Sequence, residues 1–164
     1  MAVTKEQFKQ TMSYWASGIT IVTTKREEGL LAMTASSFTS LSAEPPLILV
    51  AVNKSARTHP KIAEQKAFGV MILASNQEEV SSCGAGFRGQ EGNFLPGVDF
   101  HQEVTGAPIL NESLAWMDCS LYAAYDAGDH TIYIGKIEAT GSKDGDPLLW
   151  YSRGYRKLSE EKQG

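Results

Sequence analysis

Apolar positions follow a helical period at the N-terminus and short β-type runs over most of the remaining chain. Phe8, Met12 and Trp15 lie on one face of a helix at this spacing. Thr4 is the predicted N-cap of that helix and Gly18 its predicted end. Apolar runs of strand length follow at residues 19–24, 30–37, 47–53, 68–73, 114–122, 131–139 and 148–151.

Two further short helices are predicted between these strands. A proline in the first turn favours one over residues 58–66, since its missing N–H costs nothing there. Ser75 and Glu78 have the spacing of a capping box and predict the other over residues 75–83. The stretch from 84 to 111 is rich in glycine and shows no period, and a loop of that length is usually functional or mobile.

The order of these elements favours a mainly β fold. Strands cluster at both ends of the chain without regular β-α-β alternation, which is typical of an antiparallel barrel or sandwich with helical decoration. At 164 residues, the chain is expected to form a single domain, 1–164. The glycine pattern at 84–89 follows a predicted helix rather than a strand, so it does not indicate a dinucleotide site.

Composition and charge exclude several classes of function. With 15 basic and 19 acidic residues, the net charge of -4 argues against general nucleic-acid binding. The longest apolar stretch, residues 47–52, is far shorter than the about 20 residues that span a membrane. The N-terminus lacks the apolar core of a secretory signal. Two isolated cysteines and three scattered histidines indicate a cytoplasmic protein without a metal site.

The charge is unevenly distributed along the chain. Residues 29–63 contain one acid and three bases, which makes this window net positive within an acidic protein. Its first half includes a hydroxyl-rich segment, 33–40, which suits the polar edge of a flat ligand or a Ser/Thr-rich turn. Its second half includes the segment 53–60, whose hydroxyls and cations suit a phosphate or a solvated basic turn.

Two later motifs could also carry chemistry. His130, in a Gly-Asp-His-Thr motif at the start of a strand, suits an acid, a base or a cofactor contact, or a structural histidine. Residues 150–156 combine aromatic and arginine side chains, which could stack on a base and hold a phosphate. The same residues could form a strand end with a solvated tail.

Taken in order, these motifs resemble the short-chain flavin reductases, including the reductase components of two-component flavin-dependent monooxygenases. The resemblance is carried by Trp-Ala-Ser-Gly-Ile-Thr-Ile-Val-Thr at 15–23, Met-Thr-Ala-Ser-Ser-Phe at 33–38, Ser-Ala-Glu-Pro-Pro-Leu at 42–47, Gly-Asp-His-Thr-Ile at 128–132 and Pro-Leu-Leu-Trp-Tyr at 147–151. It implies a split β-barrel, antiparallel and Greek-key-like with short peripheral helices, and a homodimer.

The resemblance also implies an activity. Members of the family transfer a hydride from NADH or NADPH to FMN or FAD, and the reduced flavin passes to a partner monooxygenase. A flavin-binding electron carrier without reductase activity is the alternative. A pyridoxal-phosphate-related oxidase shares the broad barrel type, but the matched motifs are those of flavin reductases.

Site residues follow from the same resemblance. The flavin ring is implied beside the segment Thr34, Ala35, Ser36 and Ser37. The ribityl chain and phosphate are implied at Val52, Asn53, Lys54, Ser55, Arg57 and Thr58, with Phe87 and Arg88 near the phosphate. His130 is the implied catalytic contact beside the nicotinamide, and Ser152 and Tyr155 are implied on the same side of the site.

Overall fold

The structure is a computed structural model that describes residues 2–27, 29–86, 95 and 97–159. Its helices are α1 (Lys5–Met12), α2 (Thr58–Gln65) and α3 (Glu78–Gly84). Its strands are β1 (Ser17–Gly18), β2 (Thr20–Lys25), β3 (Leu30–Ala35), β4 (Phe38–Ala43), β5 (Pro46–Asn53), β6 (Ala67–Ile72), β7 (Phe100–Gln102), β8 (Pro108–Leu110), β9 (Ala115–Ala127), β10 (His130–Ser142), β11 (Leu149–Tyr151) and β12 (Gly154–Arg156). The prediction of a mainly β fold with short helices is confirmed.

Seven strands form one antiparallel sheet in the order β3-β2-β6-β9-β10-β5-β4. Its two edge strands, β3 and β4, are joined by only Ser36 and Ser37. In a flat sheet of seven strands the edges would lie about 29 Å apart, whereas this link can reach about 11 Å. The sheet therefore curls until its edges meet, which agrees with the split-barrel prediction. We call the junction at Ser36 and Ser37 the seam.

Two apolar cores lie on opposite faces of the curled sheet. The inner core fills the barrel and includes Phe68, Tyr133 and Ile62, the last contributed by α2. The outer core packs α3 and the 107–110 segment against β2, β3 and β6. Neighbouring residues of β2 face the two cores, Val22 the inner and Ile21 the outer. Since both faces of β2 are buried, this strand reads as a continuous apolar run rather than an alternating one.

The N-terminal helix is shorter than its sequence pattern predicts. Thr4 does cap α1, and its hydroxyl accepts a hydrogen bond from the backbone N–H of Gln7. The helix nevertheless ends at Met12 rather than near Gly18. The chain leaves the helical path there because Ser17 and Gly18 form β1, which pairs with β11.

The capping box predicted for α3 is wrong. Ser75 donates its backbone N–H to the carbonyl oxygen of Asp146, so it belongs to a tertiary contact rather than a helix cap. Gln77 is the residue at the N-cap position, and its side chain accepts a hydrogen bond from the backbone N–H of Ala74. No helix within the described part of the chain has the length and apolar character needed to cross a membrane.

Candidate functional site

A cavity of about 140 Å³ opens beside the seam. Its walls come from β3, the seam, α3 and the β11–β12 hairpin, and they consist of Ile19, Thr34, Ser36, Ser81, Ala85, Trp150 and Tyr155. Three of the residues predicted to contact a cofactor therefore converge here. A fourth, Ala35, turns its side chain into the inner core, so it can offer only its backbone to a ligand.

Helix α3 is bound closely to the end of β3. The Thr34 hydroxyl donates a hydrogen bond to the carbonyl oxygen of Ser81 over 2.6 Å. Ser81 and Ala85 are cavity residues that the sequence did not point to. The available signal was the run of small side chains around them, which lets a helix lie directly on a strand.

The aromatic wall of the cavity is the β11–β12 hairpin. Trp150 and Tyr155 are cross-strand partners, and their rings lie 5.1 Å apart at 76°. The Tyr155 hydroxyl lies 3.1 Å from the hydroxyls of both Ser81 and Ser82. These contacts fix the tyrosine ring against α3, and the wall is set by packing rather than by loop conformation.

Ser152 does not reach this cavity. It forms the hairpin turn with Arg153, and both residues have positive φ angles, 49° and 61°. The Ser152 backbone N–H donates to the carbonyl oxygen of Ser13, just after α1. Arg153 donates from Nη2 to the side-chain oxygen of Gln10 in the same helix. The turn therefore holds the hairpin to α1.

The seam leads directly to the end of β5. Ser37 accepts the backbone N–H of Ala51 at its carbonyl oxygen, and its hydroxyl donates to the carbonyl oxygen of Ala51. Two residues further on, the Asn53 side chain accepts hydrogen bonds from both the N–H and the hydroxyl of Ser55. Between them, Val52 points into the inner core and can contribute only its backbone. The segment 53–58 thus continues the line of the seam.

The start of α2 has no side-chain cap, although the backbone N–H of His59 donates to the carbonyl oxygen of Ala56. Arg57 stands at the N-cap position without a side-chain capping bond, and the first turn carries no acid. The Thr58 hydroxyl is fully buried and has no hydrogen-bond partner among the described residues. With the exposed Lys54 and Arg57, this end of the helix has the positive potential that suits an anion.

His130 lies beside this anion-suited loop. It is the cross-strand partner of Asn53, and its Nδ1 lies 2.7 Å from the carboxylate of Asp129. The hydrogen bond and the charge of His130 hold the pKa of Asp129 below its usual range. Within one chain, His130 is not part of the cavity wall that contains Tyr155. Phe87 and Arg88 lie outside the described residues.

The chemistry of the site is therefore that of a binding surface with two parts. Hydroxyls and aromatic rings surround the cavity, and the cations Lys54 and Arg57 follow the end of β5. Within the part of the chain that the structure describes, no group of three or more His, Cys, Asp or Glu residues could hold a metal ion. Fold and site together define a β-barrel whose site suits a ligand with a flat polar ring and an anionic tail.

Comparison with known proteins shows the family to which the chain belongs. The model of the flavin reductase like domain matches residues 12–159, and the chain belongs to that family. It is 37% identical over 159 residues to an NADH-dependent flavin reductase from Rhodococcus, covering 95% of this chain and 88% of the relative. It is 40% identical over 155 residues to the reductase component of 4-hydroxyphenylacetate 3-monooxygenase from Thermus thermophilus, covering 94% and 97%.

A solved structure extends the comparison to the fold. The NADH:FAD oxidoreductase of Streptomyces globisporus, in complex with NAD and FAD fragments, superimposes with a TM-score of 0.88. It is 26% identical in sequence, and the match covers 99% of each chain.

Proposed function

We propose that this chain is a flavin reductase that transfers a hydride from NADH or NADPH to FMN or FAD. The observation that carries the proposal is the continuity of the site. The hydroxyl-lined cavity at Thr34 and Ser36 is joined through Ser37 and Ala51 to the cationic loop 53–58. A flavin nucleotide has the matching order of parts, a flat polar ring followed by a chain and a phosphate.

The residues present suit the phosphate end of such a ligand and one part of its ring. The positive start of α2, which has no side-chain cap, and the unpartnered Thr58 hydroxyl suit the phosphate end. The cavity of about 140 Å³ is smaller than the several hundred Å³ of a typical cofactor pocket. The cavity would therefore hold only part of a flavin ring, with Ser36 and Tyr155 among the residues that would contact it.

Each group of residues then has a definable task. When bound, the flavin and the nicotinamide supply the hydride chemistry themselves. The chain supplies binding and alignment: hydroxyls at the seam for the ring edge, and Lys54, Ser55 and Arg57 for the phosphate. His130, oriented by Asp129, would position the nicotinamide and balance negative charge during the transfer.

A homodimer and a partner monooxygenase complete the proposal. Phe8, Met12 and Trp15 on and after α1 are between 47% and 69% exposed, an apolar surface that a second copy would cover. A second copy could also supply contacts to the part of the ring outside the cavity. The relative from Thermus thermophilus is named as a monooxygenase reductase component, which supports an oxygenase as the recipient of reduced flavin. The free thiols Cys83 and Cys119 agree with a cytoplasmic location.

The decisive experiment is steady-state oxidation of NADH and NADPH, each with FMN and with FAD. Consumption of the nicotinamide with at least one flavin is expected. Binding of flavin without consumption would instead favour the electron carrier. For His130→Ala we expect a higher KM for the nicotinamide or a lower kcat, and the assigned role is wrong if neither parameter changes.

A further inference from the structure

A chain of hydrogen bonds links the proposed phosphate loop to the turn between β9 and β10. Lys54 Nζ lies 3.4 Å from Asp126 Oδ2. The other carboxylate oxygen of Asp126 accepts a hydrogen bond from the Thr131 hydroxyl over 3.0 Å. The same hydroxyl lies 2.9 Å from Nε2 of His59, in the first turn of α2.

The direction of these bonds follows from the chemistry of the hydroxyl. Thr131 has one hydroxyl proton, and if it goes to the carboxylate, the oxygen must accept from His59. His59 therefore carries a proton on Nε2. Tyr133 holds His59 in place. The two rings lie 5.5 Å apart, and the carbonyl oxygen of His59 accepts a hydrogen bond from the Tyr133 hydroxyl. Asp126 is thus an exposed carboxylate kept at a fixed place by half-buried and buried groups.

The main chain of Lys54 is fixed, but its side chain is less constrained than that of Asp126. Its backbone N–H donates to the carbonyl oxygen of Asp129, which fixes the main chain. Its side chain is 41% exposed, and its flexible stem can carry the ammonium group to another anion nearby. The hydrogen bond from Thr131 and then the contact with Lys54 hold the pKa of Asp126 below its usual range. The carboxylate is therefore ionised at neutral pH.

We propose that Asp126 is a specificity-determining residue, an internal anion that competes with the phosphate of a bound flavin for Lys54. This inference rests on the proposed function, since it takes the loop 53–58 as the phosphate contact. Lys54 must leave Asp126 before it can pair with the phosphate. The loss of the Lys54–Asp126 ion pair therefore offsets part of the free energy gained from the Lys54–phosphate contact. A flavin without a phosphate neither gains from Lys54 nor has to displace Asp126. Asp126 consequently lowers the preference of the site for FMN over riboflavin and makes release of the phosphorylated flavin easier.

The test is the dissociation constant of FMN and of riboflavin, measured by quenching of flavin fluorescence at fixed ionic strength. Asp126→Asn removes the charge and keeps an oxygen for Thr131. FMN should bind about two- to fivefold more tightly, the range expected for an exposed ion pair. Riboflavin should bind as it does to the natural chain. Asp126→Ser, a neutral side chain of another shape, should reproduce the gain.

Two further variants test whether the effect depends on Lys54 and on the position of the removed charge. In a Lys54→Gln background, Asp126→Asn should no longer change FMN binding, because the competing cation is gone. Glu112→Gln makes the same charge change in another exposed ion pair, 3.0 Å from Lys143 just beyond the opposite end of β10, and should leave both constants unaltered.

Other outcomes would contradict either the competition for Lys54 or the proposed function. Unchanged or weaker FMN binding by Asp126→Asn, an equal change for riboflavin, or a gain that persists with Lys54→Gln would overturn the competition. If the natural chain binds neither flavin, the proposed function itself fails and the inference fails with it.

Discussion

Replacing Gly84 by alanine tests whether the cavity depends on direct contact between α3 and β3. Gly84 is the last residue of α3 and is buried. A Cβ atom at this position would lie 2.5 Å from the Thr34 hydroxyl oxygen and 2.8 Å from Cδ1 of Ile21. Ordinary contacts of this kind begin near 3.4 Å. The helix end must therefore move by several tenths of an ångström or more.

Two effects of opposite sign decide the magnitude. Alanine stabilises a helix interior by up to about 1 kcal/mol relative to glycine, and by less at its last residue. An extra methyl group in a packed contact costs about 1–3 kcal/mol. Overpacking is the larger effect, so we expect Gly84→Ala to lower the free energy of unfolding by about 1–2 kcal/mol. Because Thr34 and Ser81 line the cavity on either side of this contact, flavin binding should weaken as well.

The assay is urea unfolding followed by tryptophan fluorescence, with flavin titration of the folded protein. Gly18→Ala is the matched control, since nothing lies within 4 Å of a Cβ built at Gly18. That control should stay within about 0.5 kcal/mol of the natural chain. If Gly84→Ala matched the control in both stability and flavin affinity, the close contact would not be what shapes the cavity.

Two other predictions concern single side chains. Tyr155→Phe removes the hydroxyl that contacts two serines of α3, so urea unfolding should show a loss of about 1 kcal/mol, together with weaker flavin binding; an unchanged midpoint would mean that ring packing alone holds the hairpin. Burial, followed by the charge of Asp118, raises the pKa of the Cys119 thiol from 9.0 to about 12. The folded chain keeps that proton between these values while the unfolded chain loses it, so stability should fall with rising pH by up to about 1.4 kcal/mol per unit. Urea unfolding at stepped pH should show this slope, and it should flatten in Cys119→Ala; an identical slope in that variant would contradict the assignment.

Hydrophobic patterning predicted most of the main sheet because most of its strands bury at least one face. β2, β5 and β6 lie close to the predicted runs, and their apolar residues fill the two cores. β4 escaped prediction since it is an edge strand with mostly exposed, hydroxyl-bearing residues. The cap of α3 was predicted wrongly because Asp146, far along the chain, takes the N–H of Ser75.

The candidate site shows a similar division. Thr34, Ser36 and Tyr155 were predicted through the resemblance to a family, and the structure brings them to one cavity. Ser81 and Ala85 were not predicted, because they reach the cavity only when α3 packs on β3. The hydrogen bond from Thr34 to Ser81, which joins these two elements, spans 47 residues of sequence. A pattern within one segment carries no information about a contact of that separation.

The hydroxyl-rich segment around the seam has a structural and a ligand-binding interpretation, and the structure divides its members between them. At the seam, β3 and β4 do not pair with each other, so carbonyl oxygens there need donors that a neighbouring strand would otherwise supply. The Ser37 hydroxyl supplies one to the carbonyl oxygen of Ala51. Within the described residues Ser36 makes no such bond, and it is the seam hydroxyl that lines the cavity. Barrel closure thus accounts for the Ser37 hydroxyl and the packing of α3 for the Thr34 hydroxyl, and Ser36 is the seam hydroxyl that a ligand in the cavity would meet.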